Sequence, residues 1–422
     1  MDRYAVLRIR DFRLSLVSKF FVALGLQMQA VVIGWQIYQL THDPLALGLI
    51  GLAEALPFMG LSLWAGHYTD HHEKRRIIVW TEGGLVGCTF LLMALTAAGN
   101  RSPWLIYGVI GLTGVFRSFL WPASSTYIDM TVPQRIYSQA AGWNSTLWQV
   151  GAIVGPILGG WVYALSDAFH AYGVMAGLLL MGVLFATRLH PKWPVRVKEE
   201  SGMAQLWGGI RFVFSHQPIL AALSLDMFAV LFGGAVILLP IFAERLGVGP
   251  SGLGLLRAAP AVGALGVALY QSHRPVFKRT GVALLTAVAI FGLCMILFPL
   301  SKSFVLSLLL LAASGGADNV SVVIRASILQ AMTPDHLRGR VSSVNGLFIG
   351  SSNEIGAFES GVAAKWLGTV PSVVLGGIMT WVSVAVAAWA APQLRRLRLE
   401  SVQGLEGARI RPVLEMPQTG MR

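Results

Sequence analysis

The segment Gly151-Ala-Ile-Val-Gly155-Pro156-Ile-Leu-Gly159-Gly160 lies within an apolar stretch that is long enough to cross a membrane. Small residues at this spacing give a helix a flat face, on which a second helix packs closely. Pro156 lacks a backbone N–H donor and bends the helix. The segment therefore predicts a kinked membrane-spanning helix in close contact with a neighbour, as in a moving joint.

The composition extends this prediction to the whole chain. Of 422 residues, 55% are hydrophobic and 12% are charged, and apolar runs of about 20 residues recur throughout. A soluble domain has no means of burying so much apolar surface. We predict an all-α polytopic membrane protein with twelve membrane-spanning helices, at 14–40, 47–69, 76–98, 103–127, 138–163, 167–188, 218–243, 252–273, 281–300, 304–331, 340–364 and 370–391.

Basic residues are distributed unevenly between the loops. If the N-terminus is cytoplasmic, most of the 32 Lys and Arg fall in cytoplasmic segments, and four face the opposite side: Arg101, Arg245, Lys302 and Lys365. Because cytoplasmic segments collect Lys and Arg, both termini are expected to be cytoplasmic. The net charge of +12 is then spread over short loops that face anionic lipid, so nucleic-acid binding is not expected.

The chain also repeats itself. Residues 51–60 and 254–263 are identical at five of ten positions, at an offset of 203 residues. Two homologous six-helix halves explain this, with the substrate site between them near the middle of the membrane, as in transporters. We predict bundles at 1–188 and 218–392, a cytoplasmic linker at 189–217 and a disordered cytoplasmic tail at 393–422.

The repeat exchanges the signs of two intramembrane charges. Glu54 aligns with Arg257, and Arg117 aligns with Asp318. Ions at this depth are costly unless they are paired or hydrated, so we expect Glu54 to pair with Arg117 and Arg257 to pair with Asp318, or pairing across the halves. These pairs either lock each bundle or take part in coupling and substrate binding, and both interpretations stay open.

Further acids lie within the predicted spans. A carboxyl group in apolar surroundings holds a proton near neutral pH and releases it when the surroundings become polar, which is the chemistry of a proton-coupled carrier. Asp226 and Glu354 lie near mid-span and are the better candidates, beside Asp318 and Glu54. Glu82 lies nearer the cytoplasmic end of its helix, where we expect it to be solvated.

A third motif occupies the short connection at 66–76. Its Gly66 permits close approach, Asp70 suits a helix N-terminus or a basic side chain, and Lys74 and Arg75 suit a carboxylate. Such contacts would fasten the halves on the cytoplasmic side. The three histidines of this segment raise the alternative of a metal site, but no second ligand cluster accompanies them, so neither a metal nor another cofactor is expected.

At these residues the chain resembles the major facilitator superfamily. The segment 66–76 is similar to the cytoplasmic loop motif of that family, and 151–160 is similar to its antiporter motif. Segments 225–227 and 330–340 resemble the branch of enterobactin exporters and macrolide-efflux proteins. The resemblance implies a monomer in the bacterial cytoplasmic membrane, a central cavity lined by predicted helices 1, 4, 7 and 10, and export driven by proton entry.

The cavity implied by this resemblance has few polar candidates. They are Trp35, Gln36, Arg117, Trp121, Asn319 and Arg325. Amide and indole groups in apolar walls suit an amphipathic organic molecule better than an inorganic ion, and an intramembrane Arg favours an anionic or phenolic group.

Three functions follow from these features. The first is a proton-driven exporter of a siderophore, a macrolide-like drug or a similar metabolite. The second keeps the fold but imports a substrate or flips lysophospholipid. The third is a membrane sensor or scaffold. No nucleotide loop, nucleophile elbow or zincin motif occurs in the sequence, so an enzyme is not expected.

Overall fold

The computed structural model describes residues 4–193, 202–271, 279–334, 337–402 and 409–414. Within these ranges, eleven helical segments have the length and apolar composition needed to cross a membrane. A further helix of 30 residues, Arg338–Leu367, is also long enough to cross at 1.5 Å per residue. The predicted all-α polytopic membrane fold is confirmed, and each of the twelve predicted helices coincides with a helical segment.

The helices are numbered here in chain order. They are α1 Arg10–Thr41, α2 Pro44–His71, α3 Lys74–Ala97, α4 Pro103–Thr131, α5 Tyr137–Leu165, α6 Ala168–Ala186, α7 Gly202–Ser215, α8 Gln217–Gly233, α9 Leu239–Arg245, α10 Gly249–Gln271, α11 Thr280–Leu297, α12 Phe304–Met332, α13 Arg338–Leu367, α14 Thr369–Ala390 and α15 Pro392–Arg395. Short 3₁₀ turns occupy Ala5–Arg8, Gln134–Ile136, Ala235–Leu238 and Phe298–Leu300.

The seventh predicted span is interrupted. Where the sequence predicts one helix at 218–243, α8 ends at Gly233, a 3₁₀ turn follows, and α9 begins at Leu239. The Gly233-Gly234 pair favours this break because glycine weakens a helix interior, and Pro240 suits the first turn of the helix that follows. Discontinuous helices of this kind are a recurrent device of secondary transporters.

The predicted linker at 189–217 contains a helix that the sequence analysis missed. Helix α7 has 14 residues and packs against α13, where a Cβ added at Gly209 would lie 2.7 Å from the Arg340 carbonyl oxygen. The apolar residues Ile210 and Val213 recur at helical spacing, and Val213 is fully buried. The basic residues around this short amphipathic segment masked its periodicity.

The chain forms two compact units. Unit 1 comprises Met1–Lys198 and Val236–Ala258, and unit 2 comprises Glu199–Ala235 and Ala259–Arg422. The core of unit 1 includes the fully buried Met28, Tyr127 and Tyr172, and the core of unit 2 includes Ile219 and Leu284. Each unit therefore has its own apolar interior.

One helix contact recurs in both units. In unit 1, Gly114 of α4 lies so close to α2 that an added Cβ would be 2.5 Å from the Glu54 carbonyl oxygen. In unit 2, Gly315 of α12 lies against the Pro260 carbonyl of α10, and Gly263 lies against the Ala312 carbonyl. Gly114 and Gly315 occupy equivalent positions of the sequence repeat, so the repeat preserves a backbone contact between helices.

A small β-hairpin follows the last helix, within the tail for which the sequence predicts disorder. Strand β1, Leu397–Val402, pairs antiparallel with β2, Arg409–Leu414, with Leu397 opposite Leu414. The alternation of Leu and Ile with charged residues in these strands favours the extended conformation. The two strands contact α11 and α12 of unit 2.

The contact at Gly114 gives a stability prediction. We expect Gly114→Val to lower the free energy of unfolding by about 1–3 kcal/mol, because the new side chain meets backbone that has no room to move. Gly108→Val on the same helix is the control, since an added Cβ there meets nothing within 4 Å. Unfolding of the purified proteins measures both effects, and equal stabilities of the two variants would contradict the expectation.

Candidate functional site

Helix α5 packs against α1 through its glycines. A Cβ added at Gly155 would lie 2.7 Å from the Gln27 Cβ, and one added at Gly159 would lie 3.0 Å from Met28. Gly151 similarly meets Ala23 at 3.1 Å. These three glycines let the backbones of α1 and α5 approach closely from residue 151 to residue 159 of α5.

The last glycine of the segment has a different neighbour. A Cβ added at Gly160 would lie 3.0 Å from the Gly254 Cα of α10 and would overlap the Pro250 carbonyl, and a Cβ added at Gly254 would overlap the Pro156 carbonyl. Pro156 thus takes part in the contact between α5 and α10. Within unit 1, α5 lies in close contact with both α1 and the start of α10.

A cavity of about 310 Å³ lies between α1, α4 and α5 of unit 1, with one residue from α3. This volume is at the lower end of the range for small-molecule sites, about 300–1,000 Å³. Its polar and aromatic wall residues are Lys19, Phe20, Glu82, Arg117, Trp121, Ser124, Ser125, Tyr137, Asn144, Ser145 and Trp148. Two of the predicted cavity residues, Arg117 and Trp121, therefore line one cavity.

The charged and aromatic groups of this cavity are already organised. Arg117 pairs with Glu54 of α2, as the sequence predicts, and both side chains are partly exposed. The rings of Trp121 and Trp148 meet edge to face with centroids 6.1 Å apart, a favourable geometry for aromatic pairs. The wall thus combines two indole rings with the Arg117 guanidinium, whose charge is balanced by Glu54.

Trp35 and Gln36 lie elsewhere in unit 1. Gln36 is buried, accepts a hydrogen bond from Tyr172 at 2.6 Å and donates one to Thr96 at 3.0 Å. It therefore links α1 to α3 and α6. Trp35 is buried beside Tyr38, and its indole N–H has no acceptor among the described groups. Neither residue is among those that line the cavity at Arg117.

Glu82 corrects the sequence analysis. Where we expected a solvated acid near a helix end, the side chain is 1% exposed and lies inside unit 1. The position of Glu82 along its helix suggests solvation, but Ser18 of α1 and Gly182 of α6 cover the side chain. Lys19 and Glu82 line the cavity, yet neither was among the predicted cavity residues.

Unit 2 holds a second charged cluster. Asp226 of α8 forms an ion pair with Arg325 of α12, and both side chains are buried, at 8% and 6% exposure. Asp318 of α12 lies beside them, because Asp226 and Asp318 line one narrow cavity with Ser321. The predicted candidates Asp226, Asp318 and Arg325 thus form a single cluster of two acids and one base.

The remaining predicted residues of unit 2 are Asn319 and Glu354. Asn319 follows Asp318 on α12, and its buried side-chain oxygen has no donor among the described groups. Glu354 lies on α13 and is partly exposed. The structure does not bring Glu354 into the narrow cavity of Asp226 and Asp318.

The 66–76 segment makes its described contacts within unit 1. The Lys74 ammonium donates to the Thr69 carbonyl, and Arg75 donates to the Thr187 carbonyl at 2.5 Å. Asp70 is exposed and faces Lys74, and an added Cβ at Gly66 meets nothing within 4 Å. The first bond ties the start of α3 to the end of α2, and the second ties it to the residue after α6.

In the second half, the loop that corresponds to the 66–76 segment includes residues 272–278, which lie outside the described residues. Asp335 and His336 of the segment 330–340 also lie outside them. Within the described ranges, no group of three His, Cys, Asp or Glu side chains is placed to hold a metal ion. Cys88 and Cys294 are buried free thiols.

A polar link at the end of α1 was also not predicted. Tyr38 donates a short hydrogen bond to Glu244 of α9, and His42 lies 3.9 Å from the same carboxylate. Both helices belong to unit 1. No local sequence pattern indicates this contact, because Tyr38 and Glu244 lie 206 residues apart along the chain.

Comparison with known proteins identifies relatives along nearly the whole chain. The model of the Major Facilitator Superfamily matches residues 16–357. The enterobactin exporter EntS of Escherichia coli O1:K1 / APEC is 25% identical over 393 residues, which cover 92% of this chain and 93% of that protein.

Solved structures give the same fold. A POT family transporter in complex with 5-aminolevulinic acid superposes with a TM-score of 0.72 at 12% identity, covering 91% of this chain and 96% of that one. A bacterial homolog of the human lysosomal transporter Spinster, inward-facing and occupied, has a TM-score of 0.70 at 14% identity, covering 91% and 97%. At these identities the likeness shows the fold alone.

The buried pair of unit 2 gives a second prediction. We expect Asp226→Asn to lower the free energy of unfolding by about 3–5 kcal/mol, because it removes one member of a buried ion pair. Glu54→Gln is the matched control, and its effect should be about 1 kcal/mol or less, since the Glu54–Arg117 pair is partly exposed.

The double variant Asp226→Asn/Arg325→Met completes the test, because it removes both charges. It should recover most of the loss measured for Asp226→Asn by unfolding of the purified protein. Equal losses in Asp226→Asn and Glu54→Gln would contradict the importance of burial for this pair.

Proposed function

The chain belongs to the major facilitator superfamily, and we propose that it exports a small amphipathic organic molecule from a bacterial cell in exchange for protons. The protein is a multi-pass membrane transporter by its family and its spans. The direction, the coupling ion and the substrate are the proposal. Bundles at 1–188 and 218–392 that alternate access to a central site are its structural basis.

The observation that carries the proposal is the cavity of unit 1. Its walls hold the Arg117 guanidinium and the indole rings of Trp121 and Trp148, together with apolar side chains of α1 and other polar groups. Indole rings stack on flat apolar groups, and a guanidinium binds carboxylate or phenolate oxygens through directed hydrogen bonds. An amphipathic molecule with an aromatic or apolar body and an anionic or phenolic group satisfies both.

The relatives support a siderophore as the substrate. The protein with the 25% match over 393 residues is an exporter of enterobactin. The family match at 16–357 includes α4, α5 and most of α1, which line the cavity. We therefore infer that this chain exports enterobactin or a siderophore of similar chemistry, with a macrolide-like drug as the next class to test.

The charge cluster of unit 2 supports proton coupling. Two carboxylates and one guanidinium carry a net charge of −1 when all three are ionised, and burial makes that charge costly. One proton shared between Asp226 and Asp318 neutralises the cluster without breaking the Arg325 pair. Two acids that share a buried site bind one proton more readily than either acid alone in water.

Other features support the mode of action. The glycine contacts of α5 leave no space between helices, so a change of state requires rigid sliding or separation there. The 66–76 segment, with Gly66, Asp70, Lys74 and Arg75, is proposed as a gate.

The uneven distribution of Lys and Arg between the loops supports cytoplasmic termini. We propose a monomer in the cytoplasmic (inner) membrane, with lipid around its apolar surface.

The function is tested by the enterobactin content of bacteria that lack their own exporter. Expression of this protein should lower cell-associated enterobactin severalfold and raise the amount in the medium. A protonophore should abolish the effect. Asp318→Asn should abolish it as well, because the variant removes one of the two acids but keeps the Asp226–Arg325 pair that stabilises unit 2.

Gly142→Ala is the control for expression and folding, since an added Cβ at Gly142 meets nothing within 4 Å. A rise in cell-associated enterobactin would favour import. Export that persists in both the protonophore and the Asp318→Asn protein would contradict proton coupling. A panel of macrolides and lipophilic dyes in the same assay distinguishes a drug exporter, and movement of labelled lysophospholipid instead of these compounds would favour a flippase.

A further inference from the structure

Glu82 stands out among the acids of unit 1 because its carboxyl group is buried and only half satisfied. Ser18 of α1 donates a hydrogen bond of 2.7 Å to Glu82 Oε1. Glu82 Oε2 is buried and has no hydrogen-bond partner among the described groups. From α6, Gly182 approaches so closely that an added Cβ would lie 3.6 Å from Oε2.

The charges around Glu82 come from few residues. Lys19 of α1 is the ion that faces it, and Lys19 also faces Asp129 of α4. Asp129 accepts a hydrogen bond from Tyr137 of α5 at 2.6 Å. The other cation of the cavity wall, Arg117, has its own partner in Glu54. Lys19 is therefore the positive charge that the Glu82 carboxylate depends on.

An ionised carboxylate has capacity for about four hydrogen bonds and is costly to bury with fewer. One donor at Oε1 and none at Oε2 leave most of that capacity unused. A protonated carboxyl group costs less to bury, because it carries no charge. Its other oxygen still accepts the hydrogen bond from Ser18. A sodium or calcium ion would need about six oxygens, and the described surroundings of Oε2 do not supply them.

Glu82 also has a route to water. It lines the same cavity as the hydroxyl groups of Ser124 and Ser125 and the amide of Asn144. Polar walls of this kind hold water molecules. A proton carried by cavity water adds to the carboxylate to give the neutral acid, and the same path carries the proton away when the acid ionises.

We propose that Glu82, held by Ser18 and opposed by Lys19, is a second proton-binding residue of this transporter, in unit 1. The inference rests on the proposed proton-coupled transport for its role, but not for the binding of the proton itself. Each unit then has a proton-binding site in which acid and base lie together: Glu82 with Lys19 in unit 1, and Asp226 and Asp318 with Arg325 in unit 2. Lys19 acts as a positioning residue that favours the ionised form of Glu82.

Proton binding is tested by infrared spectroscopy of the purified full-length protein during a pH titration. A carboxylic acid C=O band from a buried group should appear as the pH falls. Glu82→Gln should remove the component of that band that belongs to Glu82, and Asp318→Asn, which changes the cluster of unit 2, should leave that component in place. Lys19→Met should move the pH midpoint of the band upward by about one pH unit, because the charge that favours ionisation is lost.

Folding is checked by gel filtration, and Ser18→Ala provides a milder second variant that removes only the hydrogen bond to Oε1. It too should move the midpoint upward. A band that survives unchanged in Glu82→Gln overturns the proposal, and a midpoint that is the same in wild type and Lys19→Met overturns the part given to Lys19.

The role in coupling is tested in liposomes that contain the protein, enterobactin and a pH-sensitive dye. Glu82→Gln should move fewer protons per enterobactin than wild type while enterobactin still crosses. An unchanged ratio overturns the coupling role. If wild type moves no enterobactin, the proposed substrate fails, whereas the infrared titration still decides whether Glu82 binds a proton.

Discussion

Backbone-to-backbone contact between helices is the constraint on which the rest of this structure depends. Lipid tails are as apolar as the helix surfaces, so burial of apolar side chains alone does not drive membrane helices together. In unit 1, α5 compensates by presenting Gly151, Gly155 and Gly159 to α1 and Gly160 to α10. The cavity at Arg117 lies between α1, α4 and α5, so its shape is set by these glycine contacts.

The charged groups follow from the same constraint. Helices that pack this closely exclude water, so each intramembrane ion must find its partner on a neighbouring helix. Glu54 finds Arg117 and Asp226 finds Arg325. Two groups stand apart from this scheme: Asp318 shares the Asp226 cavity, and Glu82 has one unsatisfied oxygen. A buried acid without a full set of partners is costly, so such groups are where a functional role is expected.

Much of the fold could be predicted from the sequence, because hydropathy and glycine spacing are local properties. The twelve helices followed from them, the Glu54–Arg117 pair followed from the repeat and the cost of an unpaired ion, and the family resemblance is confirmed. The Asp226–Arg325 pair did not, because it depends on how α8 and α12 are rotated, which residue spacing leaves undetermined. Glu82 was judged by its position along α3 rather than by what covers it. The break after Gly233 had a local signal, a Gly-Gly pair, that was outweighed by the apolar residues around it.

The Asp226–Arg325 pair also bears on how the protein is made. About 100 residues separate the two side chains, so at 5–20 residues per second Asp226 enters the membrane roughly 5–20 s before its partner exists. An unpaired Asp at the centre of a helix opposes insertion by about 2.5–3.5 kcal/mol, whereas the high mean hydropathy of 2.3 over an 18-residue stretch of Gln217–Arg245 favours insertion. The apolarity of that stretch therefore helps the ribosome and the insertion machinery to deliver a buried acid ahead of the base that will neutralise it.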